Sequence, residues 1–472
     1  MLTLADIIEA NTHTRPEGAG LVVTDAVIDS RKVIPGALFI ALPGEQVDGH
    51  QYVGEAFEKG ADLALVQQDM PEPYRCLDLR KPVDPAALAG MEAPICLRVE
   101  DSLQALQTTA RFWRRKLNLR VVGITGSVGK STTKELVAEV LNQRYRTLKN
   151  PGNLNNEIGL PLTLLHLSEG YERAVLEMGF YVPGEIALLC ELAQPQIGVI
   201  TNVGTVHAER AGSQEIIARG KAELVQSLPP APDGVAIPNY DDPWVRKMAE
   251  QTTARVFYYG LDPASELWAD NVEGLGLEGI RFRMHYHNEV ITLRVPMIGR
   301  HSVHTALRAT AVGLVEGLTW QEIFNGLRSE HTQLRLVAVR ASSGALVLDD
   351  TYNASPQSTL AALNLLSELE GRKVAVLGDM LELGPYERQG HEMVGVRAAE
   401  VVDQLITVGE RARIIAHAAW QSGLSKKVIR EVENSDRAIE LLKSQLNPSD
   451  VVLIKGSHGM RMDRIVAALE TD

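Results

Sequence analysis

The chain has 472 residues, a formal net charge of −13 and a sequence pI near 5.5. Hydrophobic residues make up 45% of it, which suffices for a buried core in each of about three domains of ~150 residues. The acidic balance disfavours a nucleic-acid partner, because such a partner requires a basic patch or stripe.

Three widely spaced cysteines fit neither a disulfide framework nor a CxxC metal site. No window approaches the roughly 18 apolar residues of a membrane span, and the first residues carry acids instead of a long apolar run. We therefore expect a cytoplasmic protein without stable membrane insertion.

The first part of the chain alternates short apolar strands and helices before any nucleotide-binding motif. We predict strands at 21–23, 26–28 and 37–42 and a helix at 52–59. Between them stand DSR at 29–31 and VDGH at 47–50, which taken alone are turn residues. The segment 71–94 is rich in proline and has no periodicity, so we predict a surface excursion there.

The sequence RVVGITGSVGKSTTKELVAEVL, residues 120–141, predicts a strand, a glycine loop and a helix in succession. Such a loop wraps backbone N–H groups around phosphate oxygens, and the N-terminus of the helix adds partial positive charge. Gly126 and Gly129 permit the close approach of the backbone. Lys130 is the phosphate cation and Ser131 the expected metal-binding hydroxyl. The pattern G-x-x-x-x-G-K-[ST] is imperfect here, since Ile124 stands where it requires glycine. A glycine-rich turn without nucleotide is the alternative, and we favour an ATP or GTP site.

The region after this loop contains three further candidate positions. NPGNLNNEIG at 150–159 is too rich in Asn, Gly and Pro for regular structure. An apolar strand at 173–179 carries Glu177 near its C-terminal end, where open α/β sheets place their sites and where a carboxylate suits Mg²⁺. The next strand, 197–202, leads to His207, for which a structural role is as plausible as a functional one. Lys221 falls in a helical pattern at 216–224 and, by pattern alone, is a surface lysine. A hairpin is predicted at 280–286 and 290–295, followed by a helix that begins at 299–306.

The last part of the chain resumes the α/β alternation. Strands predicted at 346–348, 374–377, 405–408 and 451–454 each precede a turn and a helix, so this part is predicted to be a doubly wound domain. The ends of its strands carry DDTYN at 349–353, GDM at 378–380 and KGSH at 455–458.

Several of these motifs together resemble the Mur peptide ligases of bacterial cell-wall synthesis. They are TGSVGKS, NPGNLNNEIG, VLEMG, the spacing from His207 to Lys221, DDTYNASP, LGDMLELG and IKGS. DSRKVIPGALFIALPGEQVDGH also resembles the uridine-nucleotide-binding first domain of the family, so the resemblance covers nearly the whole chain. DDTYNASP and LGDMLELG are more specific to the branch that adds a dipeptide.

The resemblance implies an α/β protein of three domains. The first, 1–105, is a small N-terminal α/β domain that binds the UDP substrate. The second, 106–318, is a central P-loop domain with a mononucleotide-binding parallel sheet. The third, 319–472, is a C-terminal doubly wound, Rossmann-like domain that binds the incoming dipeptide and closes on ATP.

The resemblance also implies an ATP-dependent ligase of peptidoglycan precursor synthesis, a pathway on which cell shape and cell division depend. In such enzymes ATP and Mg²⁺ convert the carboxylate of UDP-N-acetylmuramoyl-tripeptide to an acyl phosphate, which the amine of D-alanyl-D-alanine attacks. Because phosphoryl transfer depends mainly on positioning and charge neutralisation, the site needs a phosphate cradle and metal ions more than a protein nucleophile. Both substrates are small molecules, and we expect a monomer.

Site residues follow by matching the motifs of the family to this sequence. The catalytic residues implied are Lys130, Lys221, His207 and Glu177. Those implied at ATP are Thr125, Gly126, Ser127, Val128, Gly129, Lys130, Ser131, Thr132, Arg335 and Asp350. Those implied at the metal are Ser131, Glu177, His207 and Lys221, the last as a carbamate that replaces a repelling cation with an anionic oxygen ligand. Those implied at the other substrates are Ser30, Arg31, Asp48, Gly49, His50, Asn153, Asn155, Asn156, Tyr352 and Asn353.

Two departures from the family pattern affect the expected adenine and hinge contacts. Related ligases commonly have HNxxNA where this chain has HSVHTA at 301–306, and Leu334 stands where a glycine usually precedes the third-domain arginine. A weaker or altered ATP affinity is therefore a hypothesis for this chain.

Three alternatives stay open at the level of sequence. A ligase that adds one amino acid to UDP-N-acetylmuramoyl-dipeptide usually carries KGHE and, for diaminopimelate, DNPR, whereas this chain has KGS at 455–457 and no DNPR. A GTPase would need NKxD and DxxG strings, and neither occurs. A catalytically silent, ligase-like interaction protein would be expected to lose Lys130, Glu177 or Lys221, and all three are present.

Overall fold

The computed structural model describes residues 1–44, 47–83, 92–205, 208–329 and 337–470. The chain divides into two compact units, which are described separately. The first comprises Met1–Gly123, Arg144–Gly179 and Gly184–Ile197, and the second comprises Ile124–Gln143, Phe180–Pro183 and Gly198–Asp472.

The α-helices of the described residues are numbered in the order in which they occur along the chain. They are α1 (Leu4–Thr12), α2 (Val53–Glu58), α3 (Ser102–Lys116), α4 (Lys130–Leu141), α5 (Gly159–Leu165), α6 (Glu185–Ala193), α7 (Ala208–Ala211), α8 (Gln214–Gln226), α9 (Pro243–Lys247), α10 (Ser302–Val315), α11 (Trp320–Leu327), α12 (Pro356–Glu368), α13 (Glu387–Val401), α14 (Arg413–Gln421), α15 (Ser435–Gln445) and α16 (Asp463–Glu470). Short 3₁₀ helices lie at Ser30–Lys32, Gly49–Tyr52, Met248–Gln251, Gly276–Glu278, Gly384–Tyr386, Lys426–Val428 and His458–Met460.

The strands are numbered in the same way along the described chain. They are β1 (Ala26–Val27), β2 (Leu38–Ile40), β3 (Leu63–Val66), β4 (Arg75–Asp78), β5 (Ile95–Arg98), β6 (Arg120–Thr125), β7 (Thr147–Lys149), β8 (Arg173–Glu177), β9 (Ile197–Ile200), β10 (Val235–Pro238), β11 (Arg255–Val256), β12 (Tyr259–Gly260), β13 (Leu267–Gly274), β14 (Ile280–Tyr286), β15 (Glu289–Val295), β16 (Val337–Arg340), β17 (Leu346–Asp350), β18 (Arg372–Gly378), β19 (Gln404–Val408), β20 (Ile429–Val432) and β21 (Asp450–Lys455).

The N-terminal part of the first unit is built on a small parallel sheet in the order β1-β2-β3-β5-β4. Its central strands are short, apolar and buried, as expected for a sheet covered on both faces. The strand predicted at 21–23 was wrong, since these residues form only an isolated bridge, Thr3 to Val22. The surface excursion predicted at 71–94 contains the edge strand β4, in which only Leu77 is buried, and 84–91 lie outside the described residues.

The glycine loop lies on a six-stranded sheet in the order β11-β10-β9-β6-β8-β7. The pairs β7–β8 and β10–β11 are parallel. Strand β6 is almost wholly buried, and the loop that follows it delivers the chain to α4, as the sequence predicted. The second unit also holds a four-stranded sheet, β12-β13-β14-β15, which contains the predicted hairpin.

The C-terminal part is the predicted doubly wound domain, with the strand order β16-β17-β21-β18-β19-β20. All pairs are parallel except β16–β17. Alternate residues of β18 enter two different cores: Val374 and Val376 pack with residues of α15 and α16, whereas Ala375 and Leu377 pack with residues of α12, α13 and α14. Helices therefore cover both faces of the sheet, and the C-terminal ends of its strands are left for a site.

Candidate functional site

The phosphate loop is shaped by two glycines with positive φ. Gly126 has φ 145° and Gly129 has φ 83°, and Gly129 is the N-cap of α4. A Cβ atom on Gly126 would lie 1.8 Å from Oγ1 of Thr201, so only glycine fits there. The loop thus leads into the N-terminus of a 12-residue helix, whose first N–H groups point toward a bound anion.

Two residues that follow β9 hold this loop in place. The backbone N–H of Val128 donates to Oδ1 of Asn202 at 3.0 Å, and Nδ2 of Asn202 donates to the carbonyl of Val128 at 3.1 Å. Oγ1 of Thr201 donates to the same carbonyl at 2.7 Å, and the N–H of Ser127 donates to the carbonyl of Asn202 at 2.9 Å. Backbone polar groups that would otherwise be available to water are engaged, so the loop conformation is fixed.

A cavity of about 430 Å³ opens in front of the loop within the second unit. The loop residues Ser127–Thr132 line it. Nζ of Lys130 donates a hydrogen bond to the carbonyl of Gly126 at 2.9 Å. The other lining residues come from β9 to α10 and from the C-terminal part. They include Asn202, Asn239, Asp242, His301, His304, Thr305, Arg308, Asp350, Tyr352, Asn353, Gln357 and Lys455. The predicted residues at the loop and in DDTYN are therefore brought together.

Lys455 fixes the C-terminal side of this cavity. Its side chain is 2% exposed, and Nζ donates to Oδ2 of Asp350 at 2.7 Å and to the carbonyl of Asn353 at 2.8 Å. The tyrosine between them, Tyr352, is 42% exposed. A buried ammonium paired with a carboxylate holds the strand ends of β17 and β21 in register at the site.

Lys221 is buried at 1% exposure, so the interpretation of it as a surface lysine was wrong. Its Nζ lies 4.8 Å from the centroid of the Phe180 ring. That ring packs directly over Gly220, where a Cβ atom would come within 2.0 Å of it. Burial lowers the pKa of Lys221 well below its ordinary value, and the positive charge of Lys130 lowers it further. The amine is therefore held in an environment that favours its neutral form.

Glu177 lies at the end of β8 in the first unit and is 2% exposed. Asn150, which is fully buried, pairs with its backbone: the N–H of Glu177 donates to Oδ1 at 2.9 Å, and Nδ2 donates to the carbonyl of Glu177 at 3.2 Å. Nδ2 of Asn155 donates to Oε1 of Glu177 at 2.9 Å. Both the backbone and the carboxylate of Glu177 are thus oriented by the asparagine-rich loop.

The other asparagines of this loop differ in their surroundings. Oδ1 of Asn156 accepts the N–H of Gly159 at 2.9 Å, at the start of α5, and so has a structural role. Asn153 is exposed, and its carbonyl accepts the N–H of Asn155.

The two predicted turns near the N-terminus are local caps. Asp29 accepts the N–H of Arg31 and two bonds from its guanidinium, which lower the pKa of Asp29 to about 2. Asp48 accepts the N–H of His50 and contacts Nδ1 of its ring at 2.6 Å. Nε2 of His50 accepts the N–H of Gln67, so both ring nitrogens of this buried histidine have partners within the protein.

The small residues of the two turns occupy tight positions. Ser30 is buried, and a Cβ atom on Gly49 would lie 2.8 Å from the backbone of Leu42. Arg31, in contrast, has a side chain that is 82% exposed, and its guanidinium donates to the carboxylate of Asp29.

Comparison with known proteins decides the family. The chain is 36% identical over 470 residues to UDP-N-acetylmuramoyl-tripeptide--D-alanyl-D-alanine ligase of Bacillus subtilis (strain 168), with 99% of this chain and 97% of that protein covered. The chain belongs to the Mur ligase family. It is also 33% identical to the Escherichia coli K12 enzyme of the same name, over 96% of this chain and 95% of that protein.

The Mur ligase family models match three successive segments. They are described as Mur ligase family, catalytic domain (residues 23–91), Mur ligase middle domain (124–313) and Mur ligase, glutamate ligase domain (334–458). A crystal structure of MurF from Acinetobacter baumannii is similar to this chain with a TM-score of 0.84 and 28% identity, covering 99% and 98% of the two chains. The MurF ligase of Thermotoga maritima in complex with ADP has a TM-score of 0.79 and 27% identity, covering 95% and 98%. The predicted family and the predicted α/β fold are confirmed, while the three domain boundaries stay predictions.

Two predicted site residues of this Mur ligase, His207 and Arg335, lie outside the described part of the chain. Within the described part, no group of three or more His, Cys, Asp or Glu side chains could hold a metal ion. None of the described helices has both the length and the apolar content needed to cross a membrane.

Sequence reasoning missed Asn150, Asn202, Arg308 and Lys455 as site residues. Lys455 was noted only as part of a strand end, and the two asparagines contact backbone groups 27 and 74 residues away. Asn202 and Lys455 each lie at a strand end, and this position was the one signal that could have identified them as site residues.

Proposed function

We propose that this Mur ligase joins D-alanyl-D-alanine to UDP-N-acetylmuramoyl-tripeptide, with hydrolysis of ATP to ADP and phosphate. The observation that carries the proposal is the similarity along 99% of the chain to ligases named for that reaction. The cavity supports it, because one space contains both the phosphate loop and the DDTYN residues. We place the reaction in the bacterial cytoplasm and expect a monomer.

The first step is transfer of the γ-phosphoryl group to the carboxylate of the nucleotide-linked peptide. We assign the phosphate cradle to the loop Thr125–Thr132, whose backbone N–H groups and Lys130 neutralise phosphate charge. Thr201 and Asn202 hold the loop through hydrogen bonds within the protein, and such preorganisation lowers the cost of binding. We assign Arg335 and Asp350 to ATP from the C-terminal side.

We assign magnesium by motif to Ser131, which offers a hydroxyl, and to Glu177, which offers a carboxylate. Oxygen donors of these two kinds are the ligands that Mg²⁺ prefers. Mg²⁺ commonly takes only one or two protein carboxylates and completes its shell with phosphates and water. When bound, it supplies neutralisation of the charge on the transferred phosphoryl group. His207 is assigned to the same region by its motif.

Lys221 is assigned as a carbamate that contributes an anionic oxygen. Carbon dioxide reacts only with an unprotonated amine, and the lowered pKa of this buried lysine favours that form. Phe180, held against Gly220, shields the amine from water. A charged ammonium at this position would repel both Lys130 and a metal ion.

The second step is attack of the dipeptide amine on the acyl phosphate, followed by loss of phosphate. We assign Asn153, Asn155 and Asn156 to the loop beside the acceptor carboxylate, and Tyr352 and Asn353 to the incoming dipeptide. The uridine end is assigned to Ser30, Arg31, Asp48, Gly49 and His50. Among these the exposed Arg31 is suited to direct contact, whereas Asp48 and His50 shape the loop.

Phosphate release tests the proposal. Purified protein with Mg²⁺, ATP and D-alanyl-D-alanine is assayed with the UDP-N-acetylmuramoyl tripeptide or dipeptide. We expect release only with the tripeptide and D-alanyl-D-alanine together, and none from Lys130→Ala. Release only with the dipeptide form and a free amino acid would instead establish the amino-acid-adding ligase. No release with either substrate would refute a ligase function.

A further inference from the structure

Arg308 is a buried arginine on α10 that lies beside the phosphate loop and has none of the roles assigned above. It is 4% exposed and lines the nucleotide cavity. Its Nη2 lies 3.2 Å from the point where a Cβ atom of Gly129 would stand, so the absence of a side chain at Gly129 makes room for the guanidinium. The cation is thereby placed at the N-terminus of α4.

Every partner of this guanidinium in the described chain is neutral. Nη2 donates to Oγ1 of Thr305 at 2.7 Å, and Nη1 donates to the hydroxyl of Tyr259 at 3.4 Å, with the Tyr259 ring centroid 5.8 Å away. Burial raises the pKa of Tyr259 to about 12, so its hydroxyl is no counter-anion at neutral pH. Nε is buried and has no hydrogen-bond partner in the described residues.

Two acids that act electrostatically on the neighbouring Tyr259 are engaged elsewhere. Asp241 lies 2.8 Å from Nε2 of His304 and accepts the N–H of Leu261. Asp242 caps α9 and accepts the N–H of Val203. Arg308 forms no ion pair with a carboxylate in the part of the chain that the structure describes.

This arrangement is unfavourable without a ligand. A buried cation normally needs an anion, and the N-terminus of a helix carries partial positive charge, which repels a cation. Both costs disappear when an anion binds at the loop, because the guanidinium and the helix terminus then attract the same charge.

We propose that Arg308 is a phosphate-binding cation of the nucleotide site, which takes its counter-charge from the phosphates of the bound nucleotide. The inference rests on the proposed function, since it requires that ATP occupy this cavity. It predicts two properties that do not occur together for a structural arginine. Removal of Arg308 weakens binding of phosphorylated nucleotides, and it does not destabilise the nucleotide-free protein.

The test compares wild type with Arg308→Gln and Arg308→Lys by calorimetric titration with adenosine, ADP and ATP, and by thermal unfolding without nucleotide. We expect Arg308→Gln to bind ADP and ATP roughly tenfold to a hundredfold more weakly, as for loss of a charged hydrogen bond, with adenosine affinity unchanged. Its Tm without nucleotide should equal or exceed that of wild type. Arg308→Lys, which keeps the charge, should recover part of the affinity.

Arg114 provides the matched control. It is also 4% exposed, but Nε, Nη1 and Nη2 donate to the carbonyls of Ala193, Leu117 and Leu119. Arg114→Gln should therefore lower the Tm and leave ADP affinity unchanged, the opposite result to Arg308→Gln.

The outcomes separate this inference from the proposed function. If wild type and Arg308→Gln bind ADP equally well, the role of Arg308 at the phosphates is refuted and the function stands. The same follows if Arg308→Gln loses as much affinity for adenosine as for ADP. Failure of Arg308→Gln to fold also refutes it, because the arginine would then be structural. A wild-type protein that binds neither ADP nor ATP would refute the function and this inference together.

Discussion

The ion pair between Asp350 and Lys455 allows a test of how the C-terminal side of the cavity is held. Replacing Asp350 with Asn keeps the shape and removes the charge that balances an ammonium only 2% exposed. Breaking a buried pair from one side costs about 3–5 kcal/mol. Asp350 itself is 16% exposed and the carbonyl of Asn353 still accepts a bond from Lys455, so we expect a smaller loss, about 2–3 kcal/mol.

Thermal unfolding without nucleotide measures this loss. At about 2–4 °C per kcal/mol for domains of 150–250 residues, Asp350→Asn should lower the Tm by about 4–12 °C. Adding Lys455→Met removes the unbalanced ammonium, so the double variant should be more stable than Asp350→Asn alone. A double variant whose Tm falls by the sum of both single losses would show that burial of the charge is not the cause.

A surface pair in the same part of the chain supplies the control. Arg388 and Glu392 lie 2.8 Å apart on α13, with 83% and 46% of their side chains exposed. Because solvent screens such pairs, Glu392→Gln should leave the Tm unchanged.

Three further predictions concern the loop, the buried lysine and the acidic residue. Gly126→Ala should abolish ADP binding in a calorimetric titration, because the new methyl would lie 1.8 Å from Thr201 and the residue has φ 145°. The free energy of unfolding should rise with pH between the lowered native pKa of Lys221 and its ordinary value, because in that range the unfolded chain binds one more proton than the native protein. The slope is at most about 1.4 kcal/mol per pH unit. Lys221→Met should remove this slope, measured by urea titrations in carbon dioxide-free buffer. Asn155→Ala should raise the Mg²⁺ concentration for half-maximal phosphate release, because Glu177 loses its 2.9 Å donor.

Each of these has an outcome that would contradict it. Normal ADP affinity in Gly126→Ala would mean that the loop rearranges without cost. A pH slope retained in Lys221→Met would assign the proton uptake to another group. An unchanged Mg²⁺ requirement in Asn155→Ala, with activity lost, would place that amide at the substrate instead of the metal.

Local sequence was sufficient for the parts of the fold that depend on neighbouring residues. The strand that ends at Thr125 and the helix from Lys130 follow from a run of apolar residues, two glycines and helical spacing. The doubly wound C-terminal domain follows from repeated strand, turn and helix patterns. The bridge at Val22 shows the limit, since three apolar residues form a strand only if a partner strand lies alongside.

The burial of Lys221 could not be predicted from its own helix. Its surroundings depend on Phe180, 41 positions earlier in the sequence, and on the missing side chain of Gly220, which lets the ring approach. Asn150 looked like one of several loop asparagines, yet it alone is fully buried and pairs with the backbone of Glu177. Pattern identifies residue type and element, whereas the partner that gives a polar residue its role is set by tertiary contacts.

Three buried basic side chains near the nucleotide cavity meet the cost of a buried charge in three different ways, and the difference predicts how each responds to ligand. Lys455 has a carboxylate, so its pairing is complete before nucleotide binds. Burial lowers the pKa of Lys221 and so favours its neutral form. Arg308 has only neutral partners in the described chain, and a guanidinium does not lose its proton in proteins. Removal of Lys455 should therefore act on the stability of the free protein, removal of Lys221 on its pH dependence, and removal of Arg308 on the stabilisation that nucleotide adds by binding the native state.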